Sequence, residues 1–166
     1  MISRRQWLAG SAGGAGAALW AWQRPSTFQG EASRVAVVRA GSYSEDLADL
    51  ITRGLRECRI DVRGKRVLVK PNLVEFSPDA PVHTDAAVLA GCVAALEACG
   101  ASEVLVGEGP GHRRDTLGMA ESAGYRQAVP GFDRRFTDLN LDDVAALTNV
   151  AGQPRFYFPR AVLGPT

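Results

Sequence analysis

Lys70, Asn72, His83, Thr84, Asp85 and Glu108 are the residues of this chain whose types and spacing can do chemistry. Lysine brings a compact positive charge and asparagine both donors and an acceptor, while carboxylates and imidazoles accept or release protons. His83 and His112 are the only imidazoles in the sequence. Glu108 stands within Gly107-Glu108-Gly109-Pro110-Gly111-His112, where glycines let backbone N–H groups approach an anion closely. A helix opening soon afterwards would add the positive end of its dipole. The set predicts a site for a small anionic ligand, with Lys70, Asn72, Thr84, Asp85, Gly107, Gly109 and Gly111 as binding groups. Glu108 and His83 are its natural proton carriers, because burial and neighbouring charges can tune both side-chain types toward neutral pH.

Each of these residues also has a plainer role. Lys70 can be a solvated charge at a strand end, Asn72 a turn residue after Pro71, and Asp85 a carboxylate that steadies a helix start. His83 can cap the same helix, and His112 can be a loop side chain. Two histidines and two carboxylates can bind a divalent metal, but no H-x-x-x-H or comparable spacing supports one. Gly107-x-Gly109-x-Gly111 departs from G-x-G-x-x-G, the dinucleotide pattern, and follows the third expected strand rather than the first. Neither a Gly-x-Ser-x-Gly elbow nor a Walker sequence occurs. Cys58, Cys92 and Cys99 lack C-x-x-C spacing, so no zinc site or local iron–sulfur run is visible, and all three read as small buried hydrophobes on helices.

Strands and helices alternate along the body of the chain and must place these groups. Arg34-Val35-Ala36-Val37-Val38-Arg39 is an apolar, β-branched run ending at Gly41 and is expected as a first strand. Ser42 and Glu45 have capping-box spacing, and Leu47, Leu50, Ile51, Leu55 and Cys58 follow at helical intervals. Val67-Leu68-Val69 is a second strand, stopped by Pro71, which pushes Lys70 toward extended geometry at the strand's last position. A helix capped by Thr84 should run to Gly100, followed by a strand over Glu103-Val104-Leu105-Val106. A short helix from about Asp115 to Ala123 and a strand from Arg135 to Leu139 complete the pattern. The expected fold class is α/β, a three-layer, mostly parallel sheet with helices on both faces, Rossmann-like and incomplete at the C-terminus. Ligands of such sheets gather at the carboxyl ends of strands. Three loops are expected there: Gly41-Ser42, Lys70 to Asp85, and Gly107 to Asp115.

Ahead of this body, Ser3-Arg4-Arg5-Gln6-Trp7-Leu8 leads into an uncharged stretch rich in Ala and Gly that ends at Trp22. Arg4 and Arg5 with this weakly apolar middle read as a twin-arginine export signal rather than an ordinary Sec signal or membrane anchor, and the expected division is a signal and linker over residues 1–32 and an α/β domain over residues 33–166. Gly10, Gly13, Gly14, Gly16 and Ser11 make the stretch a poor membrane span, since a bilayer core takes about twenty strongly apolar residues. A signal left uncleaved would nonetheless anchor the protein. The implied partner is the twin-arginine translocase, met transiently, and the implied location is the periplasm or another exported compartment. A formal charge of +1 over 166 residues, with no basic stripe, speaks against nucleic acid as a partner.

The string Val67-Leu68-Val69-Lys70-Pro71-Asn72-Leu73-Val74, the pair Thr84-Asp85, and Val104-Leu105-Val106-Gly107-Glu108-Gly109-Pro110-Gly111 resemble the DUF362 family. The resemblance is taken to run from about residue 34 to 160 and to represent the N-terminal half of such a domain. It implies an exported, redox- or iron–sulfur-associated protein whose cluster or divalent metal would be held by parts outside this chain, none being evident within it. Two further readings stay open: a non-catalytic ligand-binding or assembly module, and a fragment without independent activity.

Overall fold

The computed structural model describes residues 33–111, 114–150 and 152–163. Helix α1 (Leu47–Glu57) is capped by Asp46, whose side chain accepts the Asp49 N–H, so the helix starts later than the Ser42–Glu45 spacing suggests. Glu45 reaches back to the Gly41 N–H at 2.8 Å, half of a capping box made one turn early. Strand β1 (Arg66–Val69) follows, and helix α2 (Ala86–Ala98) begins after Asp85, whose side chain accepts the Ala87 N–H. Asp85, rather than Thr84, is therefore the N-cap. Strand β2 (Glu103–Glu108) extends past Val106 to include the candidate glutamate. Three short helices come next, α3 (Thr116–Ser122), α4 (Tyr125–Ala128) and α5 (Phe132–Arg135), and lead into β3 (Phe136–Asp138).

Strands β1, β2 and β3 form an open parallel sheet in that order, with Val69 level with Val106 and Glu108 level with Asp138. This confirms an α/β fold with helices flanking an open sheet. The remaining strands, β4 (Val144–Val150) and β5 (Gln153–Pro159), form a separate antiparallel hairpin followed by α6 (Arg160–Leu163). The molecule thus mixes parallel and antiparallel sheets. The hairpin was not anticipated as a unit, although Gly152 at φ 78° supplies the turn residue that marks it.

Residues 34–39 do not form the expected first strand. They run without regular structure, leaving Val35 and Val37 81% and 93% exposed. A β-branched run becomes a strand only when a neighbour supplies a ladder. Here the segment lies along α1 instead: Val38 comes within 3.8 Å of where a Cβ on Gly54 would stand, and the Cys58 thiol faces the Arg34 carbonyl at 3.9 Å. Ala36, Val38 and Ala40 share an apolar groove with Leu50, Ile51 and Leu55. Gly41-Ser42 consequently does not leave a strand end.

The core gathers where α2 crosses the sheet. Leu89, Val93 and Leu96 of α2 pack with Val104 and Val106 of β2, with Leu73 from the loop after β1, and with Tyr125, Val129 and Phe132 beyond. Leu73, Leu89, Val93 and Val106 are all at most 1% exposed, so truncating either leucine to alanine would cost about 2–5 kcal/mol. This anchoring of Leu73 ties the loop after β1 to the sheet three residues past Lys70.

Candidate functional site

Lys70 leaves the end of β1 and Glu108 closes β2, its neighbour in the parallel sheet. Their side chains meet, Lys70 Nζ lying 2.5 Å from Glu108 Oε1. The two partners differ sharply in exposure: the glutamate side chain is 3% exposed and the lysine side chain 59%. Two backbone donors complete the carboxylate's environment, the Leu73 N–H to Oε1 at 3.3 Å and the Gly109 N–H to Oε2 at 2.7 Å. A buried charge is tolerable only when paired and hydrogen-bonded in this way. Glu108 thus acts as a fixed post that holds the lysine ammonium at the rim of the sheet, and two of that ammonium's three N–H groups remain directed elsewhere.

The loop after β1 is closed on itself by Asn72 and Thr84. The Asn72 N–H donates to the Thr84 hydroxyl at 2.9 Å, the Thr84 N–H returns to the Asn72 carbonyl at 2.8 Å, and the Asn72 side-chain amide donates to the Val82 carbonyl at 2.9 Å. Both residues spend most of their polar groups in clamping the loop. Asp85 spends one oxygen as the cap of α2. His83 lies between Phe76 and Tyr125, with ring centroids 5.3 and 6.5 Å away. Its Nδ1 is buried and has no hydrogen-bond partner.

Tyr125 is the residue that sequence reasoning missed. It is fully buried, and its hydroxyl donates to the Thr84 carbonyl at 2.8 Å, joining α4 to the clamp. Burial, with the Glu108 and then the Asp85 carboxylates nearby, pushes its phenol up to about 12. The signal that could have found it is a tyrosine within an apolar stretch, since a buried phenol needs a partner for its O–H. A second omission is the ion pair between Arg114 and Glu75 at 2.8 Å, which ties the loop after β2 to the loop after β1.

The glycines around Glu108 serve packing and a self-contained hydrogen bond. A Cβ on Gly107 would stand 3.0 Å from Leu68 Cδ1 and 3.2 Å from Leu139 Cδ2, and one on Gly109 would stand 2.9 Å from Asn140 Oδ1. The Gly109 N–H already serves the chain's own carboxylate. Gly111 faces open space. Beyond it, the loops after β2 and β3 enclose a cleft of about 520 Å³ lined by Gly111, Arg114, Thr116, Asp138 and Asn140, which neither Lys70 nor Glu108 lines. His112 lies outside the described residues.

No group of three or more His, Cys, Asp or Glu side chains among the described residues could hold a metal ion. Cys58, Cys92 and Cys99 are half-buried free thiols, and burial pushes the Cys92 thiol up.

A family model described as "Domain of unknown function (DUF362)" matches residues 67–164. The match covers the middle and C-terminal part of the chain and begins at Val67 rather than near Arg34. It overturns the reading that the chain represents only the N-terminal half of such a domain. Searches of curated proteins and of solved structures find no match.

Proposed function

The chain belongs to the DUF362 family, and from that premise we propose that it binds a small anionic ligand at the carboxyl ends of β1 and β2, with Lys70 as the anion contact. The observation that carries this reading is the pairing of an exposed lysine with a buried glutamate, hydrogen-bonded at both oxygens, at the ends of adjacent parallel strands. Carboxyl ends of parallel strands are where open α/β sheets take ligands. Glu108 acts as a positioning residue, because its oxygens are already occupied. His83, with an unpartnered ring nitrogen, is the group beside the clamp left for proton transfer.

Calorimetric titration of the full chain with a panel of small carboxylates and phosphate tests the proposal. Lys70→Met should weaken the best ligand by about tenfold or more, the value of a charge-assisted hydrogen bond, and Lys70→Arg should retain part of the affinity. Equal affinity in wild type and Lys70→Met would refute it.

The N-terminal signal belongs to the same proposal. Arg4-Arg5 and the apolar stretch after them lie outside the described residues, and among the described helices none is long and apolar enough to cross a membrane. We read the protein as exported by the twin-arginine translocase, with its α/β body folded before transport.

A further inference from the structure

A second cluster lies at the opposite end of β1, where α1 ends and the chain turns into the strand. Arg56, Arg59, Arg63 and Asp61 line a cleft of about 400 Å³ there, with Val62 and Cys99 also in its wall. All three arginines are exposed and, like Arg34, Arg39, Arg134, Arg155 and Arg160, form no ion pair among the described residues; what sets them apart is that they share one cleft. Asp61 is partly spent, its Oδ1 accepting the Arg63 N–H at 3.0 Å. The C-terminal ends of α1 and α2 contribute about half a negative charge each, so with Asp61 they offset only about two of the three positive charges.

Arg59 carries the second observation. At φ 56° it is the only non-glycine residue with positive φ among the described residues. Its N–H donates to the Arg56 carbonyl and the Ile60 N–H to the Leu55 carbonyl, each at 2.9 Å, a helix-ending turn whose left-handed position ordinarily belongs to glycine or asparagine. An arginine held there against its backbone preference, in a cleft of unpaired arginines, is strain located at a charged surface feature. The backbone beside Arg63 is tied to the end of α2, the Gly64 N–H donating to the Gly100 carbonyl at 2.8 Å.

We propose that this cleft binds a phosphate group, gripped by Arg56, Arg59 and Arg63. The planar forks of guanidinium groups match phosphate oxygens two at a time, and three forks suit a dianion. The volume leaves room for the organic part of a phosphate ester, and the same chemistry is offered by an anionic lipid headgroup.

Arg59→Gly tests the proposal without endangering the fold, because glycine adopts positive φ freely. With inorganic phosphate as probe on the full chain, thermal melts should show a concentration-dependent rise for wild type. Arg59→Gly should melt higher than wild type without phosphate, yet bind phosphate about tenfold or more weakly. The Arg59-sensitive part of binding should persist in Lys70→Met, which separates this cleft from the Lys70 site. Cosedimentation with phosphatidylcholine vesicles containing phosphatidylserine distinguishes the sources. Arg59-dependent capture by those vesicles would assign the phosphate to a lipid headgroup, and a phosphate response without capture to a free phosphate or its ester. Phosphate affinity unchanged in Arg59→Gly, or no response to either probe, would overturn the proposal.

Discussion

Glu108 shows how a single buried side chain organises its surroundings: it takes a lysine and two backbone N–H groups and presents the lysine to solvent. Glu108→Gln preserves shape but puts an amide donor where one of the donors now points. Urea denaturation should show a loss of about 1–3 kcal/mol, the cost of leaving a buried polar group unsatisfied. Tyr125 makes a second prediction at this scale. Its phenol is raised in the folded protein to about 12, from an ordinary value near 10. The stability this contributes is complete below pH 10 and is lost as pH rises through 12, because the unfolded chain releases the proton first. Tyr125→Phe should lose about 1 kcal/mol at neutral pH through the unpaired Thr84 carbonyl, and should flatten the decline of stability across that alkaline window when urea midpoints are compared. An equal decline in both proteins would show that Tyr125 is not the group responsible.

At the scale of elements, caps and close approaches decide where the site residues stand. Asp85→Ala removes the cap of α2 and should cost about 1 kcal/mol, while Asp85→Asn should cost little, since asparagine caps as well. Glycine substitutions on either side of Glu108 should separate packing from open loop. Gly107→Ala forces a methyl against Leu68 and Leu139 and should destabilise by about 1–3 kcal/mol, whereas Gly111→Ala meets nothing and should be close to neutral in thermal melts. The strands containing Val67 and Val104 and the helices after Asp85 and Asp115 were legible because apolar periodicity, a cap and a terminating glycine or proline agree there. Residues 34–39 misled because a strand needs a neighbour as well as a propensity, and none of the described strands pairs with this segment. The hairpin of β4 and β5 was not legible as a unit because its pairing is set by a turn at Gly152 and by cross-strand contacts such as Leu147 with Phe156.

For the whole molecule, the N-terminal arginine pair carries the prediction. Changing Arg4 and Arg5 together to lysine should leave the protein in the cytoplasm in fractionation experiments, and undiminished export would remove the twin-arginine reading. The identity of the candidate groups could be read directly from residue types, as could the placement of Lys70 and Glu108 at strand ends, because proline, glycine and β-branched runs act locally on the backbone. Their partnership could not. Lys70 and Glu108 are far apart in the chain, and parallel register alone brings them within 2.5 Å. Burial of the carboxylate, the clamp between Asn72 and Thr84, the phenol of Tyr125 closing on that clamp, and the three arginines left without carboxylates at the other end of β1 are likewise products of packing. Residue types and local patterns are enough to specify an α/β chain with chemistry-bearing residues at strand ends. Tertiary structure decided which of them meet, which are buried and which remain open to a ligand, because those properties depend on contacts between segments that no local pattern encodes.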